Sequence, residues 1–148
     1  MFTNIVVGTD GSARANAAVE HAMELAAASG ATLHIVHAVP RPPTLGLGYA
    51  DAVIVVNTRD ELLEEGARIC GEAAAGAERR AIKAETHTVE GDPADVLIEV
   101  ASAVGADLVV VGNKGMSGMS RFILGSVPNR VAHHCRCNVL IYNTDQAG

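Results

Sequence analysis

Glycine, lysine and serine at one spacing give this chain its clearest chemical signal. Gly112-Asn-Lys-Gly115 is followed by nine residues, Met116 to Leu124, and then by Gly125-Ser126. Glycines let a backbone come close to a ligand and turn with φ > 0, so that successive N–H groups form an anion-binding concavity. Gly125-Ser126 then opens a helical pattern, and a helix N-terminus carries roughly +0.5 charge and free N–H groups. Ser126 is expected both to cap that helix and to donate its hydroxyl to a phosphate oxygen, with Lys114 as a mobile cation beside it. Neither Gly-x4-Gly-Lys-Ser/Thr nor Gly-x-Gly-x-x-Gly occurs in the chain. For the glycines alone, a flexible surface loop is the plain alternative.

Charge placement points the same way. The chain carries a formal net charge of −6, yet no acidic residue stands between Asp107 and Asp145. That interval, positions 108 to 144, holds Lys114, Arg121, Arg130, Arg136, His133 and His134. A local positive field of this kind draws a small anion such as a phosphate; a solvated basic face is the bland reading. The acidic total argues against nucleic acid as a partner, which needs a basic face.

Other reactive residues carry less. His133-His134-Cys135-Arg136-Cys137 has ligand types but not the separated pairs a structural zinc site uses, so no metal site is expected there. Cys135 could instead act as a redox or dimer-linking thiol. Asp10 has no paired acid or adjacent histidine, and its plain role is to cap the helix that follows. Asp107, at the start of its strand, reads as structural. His34 and His37 read as buried, hydrogen-bonded strand residues, and Met116 and Met119 as packing residues of the loop.

These residues are positioned by alternating strands and helices. Strands are expected at Asn4–Gly8, Thr32–Val39, Ile82–Val89, Leu108–Val111 and Asn138–Tyr142. Helices are expected at Ala13–Ser29, with Ala18, Ala22, Leu25 and Ser29 inward, and at Thr58–Arg80, with Leu62, Gly66, Ile69 and Ala73 inward. A third helix starts at Asp92-Pro93, with Val96, Leu97, Val100, Ala101 and Val104 on its apolar face and Gly105 closing it. A fourth covers Ser126–His134. Residues 40–57 read as irregular, with an unplaced apolar island at Ala52–Val56. Near-continuous apolar strands without hairpin signals imply an α/β fold, a parallel sheet covered on both faces. Ligands in such sheets bind beyond the strands' carboxyl ends where strand order reverses, so Gly8–Ser12 and Gly112–Gly115 would share a crevice. One domain, 1–148, fits the length. No apolar run approaches the roughly 20 residues that cross a bilayer, and no leader pattern is visible, so a soluble cytoplasmic protein without a membrane partner is expected.

Gly112, Gly115, Gly125 and Ser126 fit Gly-x2-Gly-x9-Gly-Ser/Thr without a gap. With Ile5-Val-Val-Gly-Thr-Asp-Gly-Ser12, His37-Ala38-Val39, Gly91-Asp-Pro and Gly105-Ala-Asp-Leu-Val-Val-Val-Gly112, the chain resembles the ATP-binding branch of the universal stress proteins from about Ile5 to Tyr142. The resemblance implies a Rossmann-like, adenine nucleotide alpha hydrolase-like open sheet in the order 3-2-1-4-5. It also implies a homodimer paired through Val139–Tyr142 and an adenine nucleotide bound during stress adaptation: ATP first, with AMP or cyclic AMP as alternatives, and Mg2+ as the phosphates' ion. Asp10 would contact the ribose or that metal, and the Ala38 backbone would read the adenine edge. Gly112, Gly115, Gly125, Ser126 and Val127 would hold ribose and phosphates, with Gly8, Thr9, Val111 and Lys114 completing the lining. Gly8 departs from members that carry a bulkier residue or proline, which reshapes the site near the sugar. Asn138 replaces a frequent proline in the last strand.

Two other classes stay open. Ser117, Ser120 and Ser126 in the phosphate region would suit a slow ATPase or a self-phosphorylating protein, although no catalytic base or Walker lysine accompanies them. A protein-interaction module with a vestigial site is the other. A response-regulator receiver is excluded, because Val89-Glu90-Gly91 lacks its paired acids.

Overall fold

The computed structural model describes residues 1–41, 48–113 and 124–144. Its elements are β1 (Asn4–Gly8), α1 (Ala13–Ser29), β2 (Thr32–Val39), α2 (Tyr49–Arg79), β3 (Ala84–Glu90), α3 (Pro93–Ala103), β4 (Leu108–Gly112), α4 (Ser126–His134) and β5 (Asn138–Tyr142). All five strands run parallel in the order β3-β2-β1-β4-β5, the Rossmann-like order expected. Two departures concern extent. α2 begins at Tyr49 rather than Thr58, so the apolar island falls inside a helix and not in a loop. β3 starts at Ala84, because Ala81 turns with φ 59° and Ile82 is buried in that turn.

Strand alternation divides the core into two layers. Ile5, Val7, Leu33, Ile35, Leu108 and Val110 face α1 and α2; Val6, Val36, Val109 and Val111 face α3 and α4. Small residues do the helix packing. α1 buries Ala18, Val19, Ala22, Met23 and Ala26, a face rotated by one position from the expected Ala18-Ala22-Leu25-Ser29 stripe. α2 likewise buries Gly66, Cys70, Ala74 and Ala77, with Leu62, Ile69 and Ala73 at the margin. The lowest profile, rather than the most apolar side chains, sets which face sits on the sheet. A Cβ on Gly66 would lie 2.6 Å from His37 Cδ2 and 2.8 Å from Thr88 Cγ2.

The sheet's lower end is fastened by polar contacts. Thr3 N–H and Asn4 N–H donate to the Asp107 carboxylate at 2.7 and 3.2 Å, tying β1 to β4. Asn138 Nδ2 donates to Asp107 O at 3.2 Å, so the residue that stands for proline extends this tie to β5. His34 is buried on β2 and bonded to Asn4 and His87. Burial lowers its pKa below the ordinary imidazole value, against Glu85, which raises it, and alongside His87 and Lys83, which also lower it.

Gly66→Ala should cost about 1–3 kcal/mol of stability in denaturant unfolding, because His37 and Thr88 must move. Gly71→Ala, whose Cβ meets nothing within 4 Å, should be neutral or stabilising by up to about 1 kcal/mol. For His34, the unfolded imidazole gains a proton near pH 6.5 while the folded one resists it. Its contribution is therefore complete above that pH and is lost as pH falls through the lowered folded value. Thermal midpoints should drop as pH falls below about 6.5, and His34→Gln should flatten that slope.

Candidate functional site

A cleft of about 240 Å3 opens at the carboxyl ends of β1, β2 and β4. It forms because α1 follows β1 on one face and α4 follows β4 on the other, so among the described residues nothing crosses the gap between them. Gly8, Thr9 and Asp10 line it from the first strand, Ala38 from the second, and Val111 and Gly112 from the fourth. Gly125, Ser126 and Val127 close it at the start of α4. Lys114 and Gly115 lie outside the described residues, as do Met116, Ser117, Met119, Ser120 and Arg121.

The loop after β1 is built from its own side chains. Thr9 N–H donates to Val36 O at 2.9 Å, Gly11 N–H to Thr9 Oγ1 at 3.1 Å, and Ser12 N–H to Asp10 Oδ1 at 2.9 Å. Gly11 turns with φ 81°, where an L side chain is strained. Ser12, not Asp10, caps α1, accepting from Ala15 N–H at 3.1 Å. Asp10 instead shapes the turn and remains exposed.

β2 outruns β1, and this exposes backbone. Alternate residues of a parallel strand bond to alternate neighbours. Val36 O accepts from Thr9 on the β1 side, and Val39 O accepts from Gly91 on the β3 side. Ala38 therefore directs its N–H and C=O toward β1 beyond the point where β1 has ended. Among the described residues no strand meets that edge. His37 donates from Nδ1 to Thr9 O at 2.8 Å and also lines the cleft. A Cβ on Gly8 would meet Leu97 Cδ1 and Cδ2 at 3.1 Å, so Leu97 fills the space a bulkier residue would need.

The opposite wall is the N-terminus of α4. Its N-cap is Gly125, and no side chain caps the turn. Ser126 occupies the first helical position, which corrects its expected capping role: the preceding glycine already supplies the extended cap conformation (φ −60°, ψ 161°). The first-turn N–H groups of Ser126 and Val127 thus have no intrahelical acceptor. Gly125 N–H donates to Asn113 O at 2.9 Å, drawing the two ends of the glycine-rich segment together. Asn113 is anchored in turn, its Oδ1 accepting from Thr144 N–H at 3.0 Å and Thr144 Oγ1 at 2.8 Å.

Not every basic residue of the acid-free interval serves the cleft. Arg130 reaches back to α3, donating to Asp92 at 2.7 Å and Asp95 at 2.6 Å. Asp92 is also the α3 cap, accepting from Ala94 and Asp95 N–H groups. Burial pulls its carboxyl upward, but Asp95 N–H, Arg130 and Ala94 N–H outweigh that and hold it below the ordinary value. Cys135 and Cys137 stand 3.4 Å apart and pack against the α3–α4 layer, as core residues do. Burial, and then Cys135, push the Cys137 thiol up to about 11, so it is not a ready thiolate. The expectation missed Ala15, Val36, His37, Pro93, Leu97 and Pro128 as lining residues. Only the i, i+2 relation of Val36 to Ala38 and the start of the Asp92-Pro93 helix signalled any of them.

The profile of the universal stress protein family matches residues 1–143. The chain is 33% identical over 146 residues to universal stress protein YxiE of Bacillus subtilis, covering 95% of this chain and 99% of that one. It is similar to a universal stress protein solved in complex with cAMP, at 38% identity and TM-score 0.74, covering 97% of this chain and 98% of that one. Universal stress protein UspA from Lactobacillus plantarum shares the fold at TM-score 0.83 and 24% identity, covering 95% and 97% of the two chains. The parallel sheet in its 3-2-1-4-5 order, together with these likenesses over nearly the whole length, makes the chain a member of the universal stress protein family.

Proposed function

We propose that the chain binds an adenine nucleotide in the cleft between β1 and β4, with ATP as the first candidate. One observation carries the reading: the cleft sets a backbone donor–acceptor edge at Ala38, which no strand among the described residues pairs, opposite the N-terminus of α4, whose cap residue Gly125 has no side chain. Adenine presents a ring-nitrogen acceptor beside an amino donor, which complements a peptide N–H and C=O. Phosphates suit free N–H groups at a helix start. Val36, Leu97 and Val111 give the base an apolar floor. Asp10, exposed at the rim, suits a ribose hydroxyl or a phosphate-bound Mg2+. Gly112, Gly125, Ser126 and Val127 would hold ribose and phosphates, with Gly115 and Lys114 supplying the rest of the Gly-x2-Gly-x9-Gly-Ser loop.

A cyclic nucleotide is the second reading, favoured by the 38% identical relative solved with cAMP.

The nucleotide-bound unit is proposed to be a homodimer paired through β5. That strand is an edge of the sheet, and Ile141 on it is 38% exposed. An apolar edge left unpaired invites association.

Denaturing freshly purified protein should release ATP, AMP or cAMP near one per chain by mass spectrometry, and relative affinities for ATP and cAMP then select between the two readings. An empty protein with no calorimetric affinity for any of the three would overturn both. Ala38→Pro removes an N–H that no strand among the described residues uses, so folding should survive while nucleotide affinity falls about tenfold. Unchanged affinity would remove Ala38 from the adenine site. Light scattering should give twice the 15.3 kDa chain mass, and Ile141→Lys should shift it toward the monomer.

A further inference from the structure

We propose that His34, Glu85 and His87 form a binding site for a divalent transition-metal cation, Zn2+ being the best match, on the β2–β3 side of the sheet. The register pairs His34 with Glu85 and Val36 with His87. Period-two alternation puts His34 on the Val36 face, and Glu85 and His87 together on the facing stretch of β3. One ligand atom from each of the three lies within 4.8 Å of the others.

Proton placement makes this more than proximity. His34 Nε2 lies 3.2 Å from Asn4 Oδ1, an acceptor only, so that nitrogen carries the proton and Nδ1 presents its lone pair. Nδ1 then faces His87 Nε2 at 3.0 Å and Glu85 Oε2 at 3.7 Å. Two imidazole nitrogens and a carboxylate oxygen thus converge with at most one proton shared between the rings. A cation placed among them would satisfy all three lone pairs at once.

The spacing and environment fit zinc. Ligand atoms about 2.0–2.1 Å from a tetrahedral Zn2+ stand roughly 3.3 Å apart, between the two distances seen. The His34 Nε2–H to Asn4 contact is the orienting second bond that ligating histidines make. Two imidazoles with one carboxylate suit Zn2+, whereas Mg2+ and Ca2+ seek oxygen ligands. His34 is buried, holding one ligand rigidly, while Glu85 is 49% exposed and leaves an entry path. Lys83, 4.0 Å from Glu85 Oε1, is 75% exposed and free to swing away. None of the three ligands lines the nucleotide cleft, so the site is independent of that reading. Bound metal would clamp the edge strand β3 to β2, replacing a single hydrogen bond by coordination from both strands.

The test is titration of the tag-free chain with Zn2+ by calorimetry, and with Co2+ followed by visible absorption. One equivalent per chain is expected, with d–d bands of a nitrogen–oxygen site and no thiolate charge-transfer band. His87→Ala should weaken Zn2+ binding by about 100-fold and Glu85→Gln by about tenfold, while Cys135→Ser/Cys137→Ser should bind as the parent does. Circular dichroism checks that the variants fold, and exposed Glu85 carries the comparison should His87→Ala fail. No binding by the parent chain, or binding that survives both ligand variants and is lost with the cysteines, would overturn the proposal.

Discussion

The structure depends on a single constraint: β1 sits at the middle of a parallel sheet, and the chain must leave its carboxyl end on one face while leaving β4 on the other. Burial of Ile5, Val6 and Val7 on both sides fixes β1 there, since such a strand is stable only with neighbours and helices all round. The Asp107 carboxylate pins the lower ends of β1 and β4 together. With that end closed, the two strands can diverge only at the other. The cleft is therefore a consequence of how the sheet is covered, lined by the carboxyl ends of β1, β2 and β4 and by the starts of α1, α3 and α4.

Backbone geometry supplies most of the site's polarity. Ala38 exposes its peptide because β2 is longer than β1, and α4 exposes its first N–H groups because Gly125 offers no capping side chain. Neither feature needs a charged residue. Arg130, on the same helix, is engaged by Asp92 and Asp95 on α3. Its task is to dock α4 against α3, which holds the helix N-terminus in place.

Much of this was legible in the residues. Apolar runs placed β1, β2 and β5 to the residue, and Asp92-Pro93 marked the start of α3 through capping chemistry. The start of α2 was not legible, because Pro and Gly before residue 49 outweigh the helical signal of the residues that follow. Inner faces were displaced by one position on α1 and α2, since periodicity weights apolar side chains while close packing selects small ones such as Gly66 and Ala77.

The sequence by itself determined the class of fold, the family likeness and the loops that flank the cleft, because these rest on local backbone preferences and on contiguous motifs. Tertiary structure alone decided which strand edge is left unpaired at Ala38, where Arg130 finds its carboxylates, and that His34 meets His87 across 53 positions of chain. Such contacts join residues far apart in sequence through strand register. Register is set by the whole sheet's burial pattern, not by any one segment.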